Sequence, residues 1–381
     1  MRTLRSFAFL FTALFALSVH AQLMPPAPAV AARAWLLIDH ASWQSLAAAN
    51  ADERIEPASL TKLMTAYIVF GAVKQGNLKL DQQVPVSEKA WKAQGSRMFI
   101  EPNKPVTVAE LIRGMIVQSG NDACIALAEA VAGSEEGFVQ MMNHEAQRLG
   151  LKNTHFMNAT GLPDPQHYTT ATDLAHLAST LIRDYPDFYP IYSMKEYRYN
   201  NITQPNRNRL LWLDPSVDGV KTGHTEAAGF CLIASAKRGS RRLLSVVLGA
   251  NSDALRAQES QKLLNFGFQA FDGVKLYDKG QTVAQPKVFK GTQGSVRAGF
   301  NDDFVLSLPR GAADKIKVDL ISVQPLLAPI QAGQRVATLR VTVDAGGQPK
   351  VWGEYPVVAL ENVPVAGIVG RAWDSIRLFF Q

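Results

Sequence analysis

Three short motifs contain the residue types from which a serine acyl-transfer site can be built. In chain order they are Ser59-Leu60-Thr61-Lys62, Ser119-Gly120-Asn121 and Lys221-Thr222-Gly223. A serine hydroxyl is a weak nucleophile until a neighbouring base takes its proton. Residues three apart share one face of a helix, so Lys62 can reach Ser59 from the next turn. The first motif therefore predicts Ser59 as a nucleophile and Lys62 as its base.

Lys62 can act as a base only when its amine is neutral. That condition requires burial or a nearby cation, either of which lowers the pKa of a lysine, and we predict Lys221 as the cation. A helix that starts at Ser59 adds partial positive charge and a free backbone N–H beside the hydroxyl. The N–H groups of Ser59 and His224 are the predicted oxyanion hole, with the His224 imidazole a neighbour and not a general base.

The second motif falls in a predicted break between two helices, from which short polar side chains can project into a cleft. There Ser119 would relay a proton between Lys62 and a leaving amine, while Asn121 would orient Lys62 and hydrogen-bond the substrate backbone. Taken alone, Ser-Gly-Asn is typical of an ordinary helix–helix turn. Its position between the other two motifs favours the catalytic interpretation.

The third motif lies in a predicted strand, within the stretch from 217 to 225. Gly223 has no side chain, so an extended substrate could approach the sheet edge closely. Lys221 and Thr222 offer a cation and a hydroxyl, which suit a terminal carboxylate. The three motifs together predict a substrate with a carboxyl end and a carbonyl that Ser59 attacks.

The elements that must position these residues follow from hydrophobic periodicity. Thr107 and Glu110 form a capping-box pattern, and Thr170 is a predicted helix cap. Helices are predicted at 60–74, up to 117, and at 122–132, 135–149, 171–182 and 253–266, with strands at 34–39, 229–234 and 242–248. Strands at both ends with helices between them predict an α+β domain with one antiparallel sheet whose terminal strands pair.

Beyond residue 275 the pattern changes to alternation typical of β-strands, clearest at 315–320 and 335–341. We therefore predict a separate, small all-β domain. The chain is thus predicted to divide into four parts: a signal peptide at 1–21, a catalytic domain at 22–273, a β-rich domain at 274–363 and an amphipathic anchor at 364–381.

The first 21 residues have the pattern of a secretory signal peptide. Arg2 and Arg5 precede an uncharged apolar run, and small residues at Val19 and Ala21 suit cleavage after Ala21. The alternative is a membrane anchor, but the run has about 13 residues where a spanning helix needs roughly 20. We expect export to the periplasm.

The last segment, 365–381, predicts an amphipathic helix. Apolar residues recur at helical spacing from Val365 to Phe380, with Arg371, Asp374 and Arg377 largely on the other side. The charges and the shortness of the segment do not suit a membrane span. We predict an in-plane anchor on the outer face of the inner membrane, with Trp373 at the interface; the alternative is a helix docked on the protein's own surface.

The formal net charge of +6 is a mild excess and does not indicate nucleic-acid binding, which usually needs a concentrated basic stripe. The densest basic stretch, 237–242, is predicted to be an exposed hairpin turn. Cys124 and Cys231 each lie in an apolar run and are interpreted as small buried side chains. Whether they pair is left open by the sequence. No cofactor or metal is expected, because His144-Glu145 lacks the second histidine of H-E-x-x-H.

The residues that flank the motifs resemble those of a known family. The stretches 56–65, 119–124 and 218–225 read EPASLTKLMT, SGNDAC and DGVKTGHT, and the motif set is shared by penicillin-binding proteins and class A β-lactamases. Over practically its whole length the chain resembles the low-molecular-mass penicillin-binding proteins that are serine D-alanyl-D-alanine carboxypeptidases. The resemblance implies a β-lactamase/transpeptidase-like catalytic domain.

It also implies a reaction and a biological role. Ser59 would attack the penultimate D-alanine carbonyl of a peptidoglycan stem pentapeptide, release the terminal D-alanine, and be acylated by β-lactams. Arg207 and Arg256 match basic positions that line the cleft in relatives, and both would help to bind the substrate carboxylate; the alternative for each is a solvated surface charge. The expected role is in cell-wall biogenesis and cell shape.

Three other functions are alternatives to this one. A β-lactamase of similar fold needs a carboxylate base for deacylation, and the loop 156–164 contains no glutamate. An endopeptidase would use the same residues on cross-linked peptides. A non-catalytic wall-binding scaffold would not need the intact set of motif residues.

Overall fold

The computed structural model describes residues 24–322, 324–344 and 347–379. The predicted signal peptide, 1–21, lies outside the described residues, as do the last two residues of the tail. The first part of the chain contains nine strands: β1 (Ala34–Asp39), β2 (Ser45–Ala49), β3 (Gln83–Val84), β4 (Val106–Thr107), β5 (Glu196–Tyr199), β6 (Ile202–Pro205), β7 (Val217–Thr225), β8 (Gly229–Arg238) and β9 (Arg241–Ala250).

Helices lie between and after these strands. They are α1 (Lys62–Lys74), α2 (Glu88–Trp91), α3 (Val108–Val117), α4 (Asn121–Ala132), α5 (Glu135–Arg148), α6 (Ala171–Asp184), α7 (Leu210–Leu213) and α8 (Asp253–Ala270). The capping box of Thr107 and Glu110 is formed at the start of α3, and Thr170 caps α6 by accepting from the Asp173 N–H. These predictions are confirmed.

A five-stranded sheet of order β2-β1-β9-β8-β7 forms the centre of this part. The opening strand β1 pairs antiparallel with β9, with Ala34 opposite Leu248, so the predicted pairing of the terminal strands is confirmed. Side chains alternate across the sheet: Leu36 packs in a core with α1, α3, α4 and α6, and Leu37 packs with α8 on the other face. The predicted α+β class is confirmed.

The predicted helix at 60–74 differs from the structure at its start. Residues Ala58–Thr61 form a 3-10 turn, and the α-helix begins at Lys62. Ala58 has a φ of 47°, which a regular right-handed helix does not allow, and the Leu60 N–H closes a tight turn on the Pro57 carbonyl. Helix α8 extends to Ala270, four residues past its predicted end, and Gly267 in the added turn packs closely against Leu243 and Leu37.

The basic stretch does form the turn of the hairpin between β8 and β9, but the prediction that it is all exposed is wrong for Arg241 and Arg242. Arg242 forms an ion pair with Asp218 at 2.7 Å. Arg241 forms one with the fully buried Asp39 at 2.8 Å. Both arginines have under a fifth of their side chains exposed, since the carboxylates of Asp218 and of the buried Asp39 hold them at the sheet.

The second part of the chain is all-β. Its strands are β10 (Phe271–Tyr277), β11 (Val288–Phe289), β12 (Ala298–Gly299), β13 (Phe304–Pro309), β14 (Ile316–Ser322), β15 (Leu326–Leu327), β16 (Arg335–Asp344) and β17 (Pro349–Ala359). The sheet of order β12-β17-β16-β14 covers a separate apolar core. Strand β10 crosses the predicted boundary at 273/274 and pairs with β13; the boundary itself stays a prediction.

Arg241 joins the two parts. Besides its contact with Asp39, it donates to the Phe271 carbonyl at 2.5 Å and to Ser307 Oγ at 3.1 Å. Ser307 in turn donates to Asp39 Oδ2 at 2.8 Å. Strands β1, β9, β10 and β13 are therefore connected through one guanidinium.

The described tail contains helix α9 (Ile368–Phe379). Ile368 and Val369 are 78% and 84% exposed, whereas Asp374 Oδ2 faces the β domain and accepts from the Lys290 N–H at 2.6 Å. The apolar residues thus point away from the protein, which disfavours docking through the apolar face. Among the described residues, no helix has the length and apolar character needed to cross a membrane.

Candidate active site

Ser59 lies on the 3-10 turn that precedes α1, and its side chain is partly exposed to a cleft. Lys62 is the first residue of α1 and is 1% exposed. The Nζ atom of Lys62 lies 3.0 Å from Ser59 Oγ, which is hydrogen-bond distance. The structure therefore brings the predicted nucleophile and base together, although the turn is tighter than an α-helix.

Lys62 is surrounded by neutral hydrogen-bond acceptors. Besides Ser59, its Nζ donates to Asn121 Oδ1 at 2.7 Å and to the Thr160 carbonyl at 2.6 Å. Burial, with a smaller contribution from the charge of Arg207, lowers the pKa of Lys62 to about 8. About a tenth of the amine is then unprotonated at pH 7, so Lys62 can accept a proton.

The cause of this lowered pKa differs from the prediction. We expected the charge of Lys221 to be responsible, but burial is the largest cause and Arg207 is the cation that adds to it. Lys221 is itself buried, and its pKa is well below the ordinary value because of burial and the charge of Lys62. Sequence spacing does not show which polar groups are desolvated.

Ser119 connects the second and third motifs. It has a φ of 62° in the break between α3 and α4, and Lys221 Nζ donates to its Oγ at 2.9 Å. Asn121 is held from both sides, since its Nδ2 donates to the Gln94 carbonyl at 2.6 Å while its Oδ1 accepts from Lys62. The predicted contact by which Asn121 orients Lys62 is present, and Ser119 accepts a hydrogen bond from Lys221.

Strand β7 carries the third motif along one wall of the site. Lys221 and Thr222 are 3% and 5% exposed. A Cβ at Gly223 would lie 3.2 Å from both the Ala58 Cβ and the Pro57 carbonyl oxygen. A glycine at 223 thus leaves room for the turn that carries Ser59, a reason that the sequence did not reveal.

The two arginines occupy different positions. Arg256 is 5% exposed, donates to the Gly223 carbonyl at 3.0 Å and forms an ion pair with Asp253, so it supports β7 at the wall of the cleft. Arg207 has an exposed side chain, which lies at the cleft. The surface-charge alternative is therefore wrong for Arg256.

The cleft has a volume of about 710 Å³. It brings together Ser59, Gly95, Ser96, Ser119, Pro205, Asn206, Arg207, Arg209, Thr222, Gly223, His224, Phe230, Asp253 and Arg256. His224 packs against Phe230 with ring centroids 4.0 Å apart, as expected of a neighbour. The lining contains three arginines, Arg207, Arg209 and Arg256, and one aspartate, Asp253, so the cleft suits an anionic ligand end.

Sequence reasoning missed the loop below the nucleophile. Thr160 contributes through its backbone carbonyl, which no motif of side chains can reveal. Asn158 accepts from the N–H groups of Thr160, Gly161 and Leu162, and the Asn-x-x-Gly composition was the available indication of such a turn. Within this loop, no glutamate faces Lys62.

Cys124 and Cys231 are both buried and free, which answers the question of pairing that the sequence left open. Burial raises the pKa of each thiol to about 11. Over the described ranges, no group of three or more histidine, cysteine or acidic side chains is placed to hold a metal ion.

A partly exposed serine beside a buried lysine, on an α+β scaffold with a cationic cleft, defines a serine acyl-transfer enzyme. Residues 21–252 match the family model of the D-alanyl-D-alanine carboxypeptidases, Peptidase S11. Residues 271–365 match the model of the penicillin-binding protein 5 C-terminal domain. The chain belongs to the Peptidase S11 family of D-alanyl-D-alanine carboxypeptidases, which are serine peptidases, and the resemblance seen in the motifs is confirmed.

The individual relatives named here match between 64% and 93% of the chain. It is 44% identical over 363 residues to the D-alanyl-D-alanine carboxypeptidase DacC of Escherichia coli (strain K12), covering 93% of this chain and 90% of that one. Penicillin-binding protein 5 from Haemophilus influenzae superposes with a TM-score of 0.83 at 39% identity, covering 89% and 99% of the two chains. Penicillin-binding protein D2 from Listeria monocytogenes, in a cefotaxime-bound form, superposes with a TM-score of 0.60 at 31% sequence identity, covering 64% of this chain and 100% of that one.

Proposed function

We propose that the protein removes the terminal D-alanine from peptidoglycan stem pentapeptides through an acyl-enzyme on Ser59. The observation that carries the proposal is the 3.0 Å contact between Ser59 Oγ and the Nζ of the buried Lys62. Membership of a D-alanyl-D-alanine carboxypeptidase family supports the choice of substrate.

In the proposed reaction, Ser59 Oγ bonds to the carbonyl carbon of the penultimate D-alanine while Lys62 takes the hydroxyl proton. The C–N bond to the terminal D-alanine then breaks, and the leaving amine receives a proton by way of Ser119. Water hydrolyses the ester, which regenerates the Ser59 hydroxyl and frees the shortened peptide. The backbone N–H groups of Ser59 and His224 are proposed to stabilise the oxyanion of both tetrahedral intermediates.

The terminal carboxylate of the substrate is proposed to bind at Thr222 and Arg207, which both lie at the cleft. Arg256 would act indirectly, because its guanidinium is hydrogen-bonded to the Gly223 carbonyl of the same strand. Lys221 adds positive charge beside Ser119. Asn121 is proposed to hold Lys62 in place through the 2.7 Å contact.

Penicillin provides a direct test, since a β-lactam would acylate the same hydroxyl. We expect one penicillin adduct by intact-protein mass spectrometry, located on Ser59 by peptide mapping, and release of D-alanine from a pentapeptide. Ser59→Ala should abolish both, whereas Ser240→Ala, in the exposed turn between β8 and β9, should change neither. An adduct on another residue, or D-alanine release that survives in Ser59→Ala, would refute the serine mechanism.

We also propose that residues 365–381 bind the periplasmic face of the inner membrane. In α9, Ile368, Val369 and Trp373 are exposed, while Arg377 lies over the Trp373 ring at 5.7 Å. Such a helix can bury its apolar side in the interface while its arginines contact anionic headgroups.

The membrane proposal is tested by co-sedimentation with vesicles of phosphatidylglycerol and phosphatidylethanolamine. The full chain without its first 21 residues should sediment, and deletion of 365–381 should abolish sedimentation. Val369→Asp should weaken binding far more than Val351→Asp, a substitution of another exposed valine in the β domain. Undiminished sedimentation of the deletion variant would contradict the proposal.

A further inference from the structure

The loop that reaches Lys62 is folded around one side chain. Asn158 Oδ1 accepts from the backbone N–H groups of Thr160 at 3.1 Å, Gly161 at 2.7 Å and Leu162 at 3.1 Å, and from Thr160 Oγ1 at 2.9 Å. These contacts fix the peptide whose carbonyl accepts from Lys62 at 2.6 Å. We call residues 158–162 the Asn158 loop.

His167 lies between this loop and the turn that carries the nucleophile. It is 2% exposed, its Nε2 lies 3.0 Å from Thr61 Oγ1, and its Nδ1 lies 3.4 Å from Asn158 Nδ2. The amide nitrogen can only donate, so Nδ1 accepts and Nε2 carries the hydrogen that is donated to Thr61. Both ring nitrogens are thus used by a neutral imidazole.

The surroundings of the ring keep it neutral. Burial lowers the pKa of His167 to about 4, the charges of His155 and Lys62 act in the same direction, and Asp164 opposes them. Phe156 packs edge-on against the ring with centroids 5.8 Å apart. At neutral pH the imidazole is therefore a fixed hydrogen-bonding bridge.

We propose that His167 is a positioning residue that fastens the nucleophile turn to the Asn158 loop and thereby keeps water away from Lys62. The two hydrogen bonds of the ring connect Thr61, which lies between Ser59 and Lys62 in the chain, to Asn158. The inference rests on the proposed role of Lys62 as the base. It assigns a function to a residue that belongs to none of the three motifs.

The consequence of removing the bridge follows from the cause of the lowered pKa. Burial is the largest contribution for Lys62, so water that enters beside the loop raises the pKa from about 8 toward the ordinary 10.5. A rise of one unit reduces the neutral fraction about tenfold at pH 7. Acylation should slow by that factor, and the pH at which it reaches half its maximum should rise by about one unit.

The experiment measures the second-order rate of acylation by a fluorescent penicillin from about pH 6 to pH 10. The variants are His167→Phe, which removes both hydrogen bonds, and His167→Gln, whose amide can donate to Thr61 and accept from Asn158. Thr61→Val removes the partner on the nucleophile turn alone. His144→Phe, at an exposed position of α5, is the matched control, and circular dichroism with thermal melting verifies folding of each variant.

We expect His167→Phe and Thr61→Val to shift the profile to higher pH, with rates near wild type at pH 10, and His167→Gln to restore the wild-type profile. His144→Phe should leave it unchanged. A shift to lower pH, no shift in the folded His167→Phe or Thr61→Val variant, or a uniform loss of rate at every pH would overturn the positioning role. Adduct formation in Ser59→Ala would instead refute the proposed function, so the two failures are distinguishable.

Discussion

Lys62 is buried among neutral acceptors, and this makes the proposed reaction sensitive to pH. The proton of Ser59 can move only to an unprotonated amine, and the pKa of Lys62 is lowered to about 8 by burial. Below that pH the reactive fraction falls tenfold for each unit. The acylation rate should therefore increase as the pH rises through about 8.

We predict that the acylation rate of the wild-type enzyme rises with a slope of about one on a logarithmic scale below pH 8 and then levels off. Stopped-flow measurement with a fluorescent penicillin gives this profile. Lys62→Arg, whose guanidinium stays protonated, should lose at least about a thousandfold in rate at every pH. A flat profile in the wild type would exclude Lys62 as the base.

Gly161, in the Asn158 loop, lies at a position that has no room for a side chain. Its φ is 87°, and a Cβ there would lie 1.8 Å from the Ala58 carbonyl oxygen. We predict that Gly161→Ala lowers the free energy of unfolding by about 3 kcal/mol or more and slows acylation. Gly133→Ala, also at positive φ but with no atom within 4 Å, should lower it by only about 1 kcal/mol. Denaturant titration measures both, and equal losses would contradict the argument.

For the residues of the site, the sequence predicts which side chains take part but not the groups that surround them. Ser59, Lys62, Ser119, Asn121 and Lys221 were predicted from type, order and spacing, and the structure brings them into contact. The Thr160 carbonyl and the dominance of burial in the pKa of Lys62 could not be predicted. Both depend on how a loop a hundred residues away folds against α1.

Among the elements, the hairpin of β8 and β9 shows how tertiary contacts override a local pattern. The basic stretch was correctly predicted as a turn, yet Arg241 is held by the buried Asp39 and reaches strands β10 and β13. The sequence shows that an arginine is present at 241 but not what it contacts. Asp39 lies 202 residues before it, and Phe271 and Ser307 lie 30 and 66 residues after it. Element type was predictable; the connection between domains was not.

We predict that Arg241→Ala lowers the free energy of unfolding by about 3 to 5 kcal/mol, because it leaves the Asp39 carboxylate buried without its partner. The matched control is Arg340→Ala, which removes an ion pair of similar length to Glu354 whose side chains are 43% and 47% exposed; such pairs contribute about 0 to 1 kcal/mol. Urea titration of both variants checks the difference. Similar losses would show that Asp39 is not desolvated.

For the whole molecule, buried neutral histidines predict sensitivity to acid. The pKa values of His40 and His167 are both lowered from 6.5 to about 4, mainly by burial. The unfolded chain therefore binds protons at a pH where the folded chain does not. Stability is complete above about pH 6.5 and is lost as the pH falls toward 4, by about 1.4 kcal/mol per unit for each histidine.

The prediction is checked by urea titration at pH 7 and pH 5. His40→Asn, whose amide can keep the contact that His40 Nδ1 makes with Ser179 Oγ at 2.6 Å, should lose about 2 kcal/mol less between the two pH values than the wild type does. His144→Asn, at an exposed position, should behave as the wild type. An unchanged pH dependence in His40→Asn would contradict the assignment.

The pairing of β1 with β9 has a consequence for the order in which the enzyme becomes competent. Ser59 follows the first two strands, Lys221 lies on β7, and the sheet joins these halves only through β9. The last strand of the sheet to leave the ribosome is thus the one that completes the site. Contacts between residues more than 200 positions apart form slowly, so the sheet that brings Lys221 to the site is complete only after the chain has been made past residue 250.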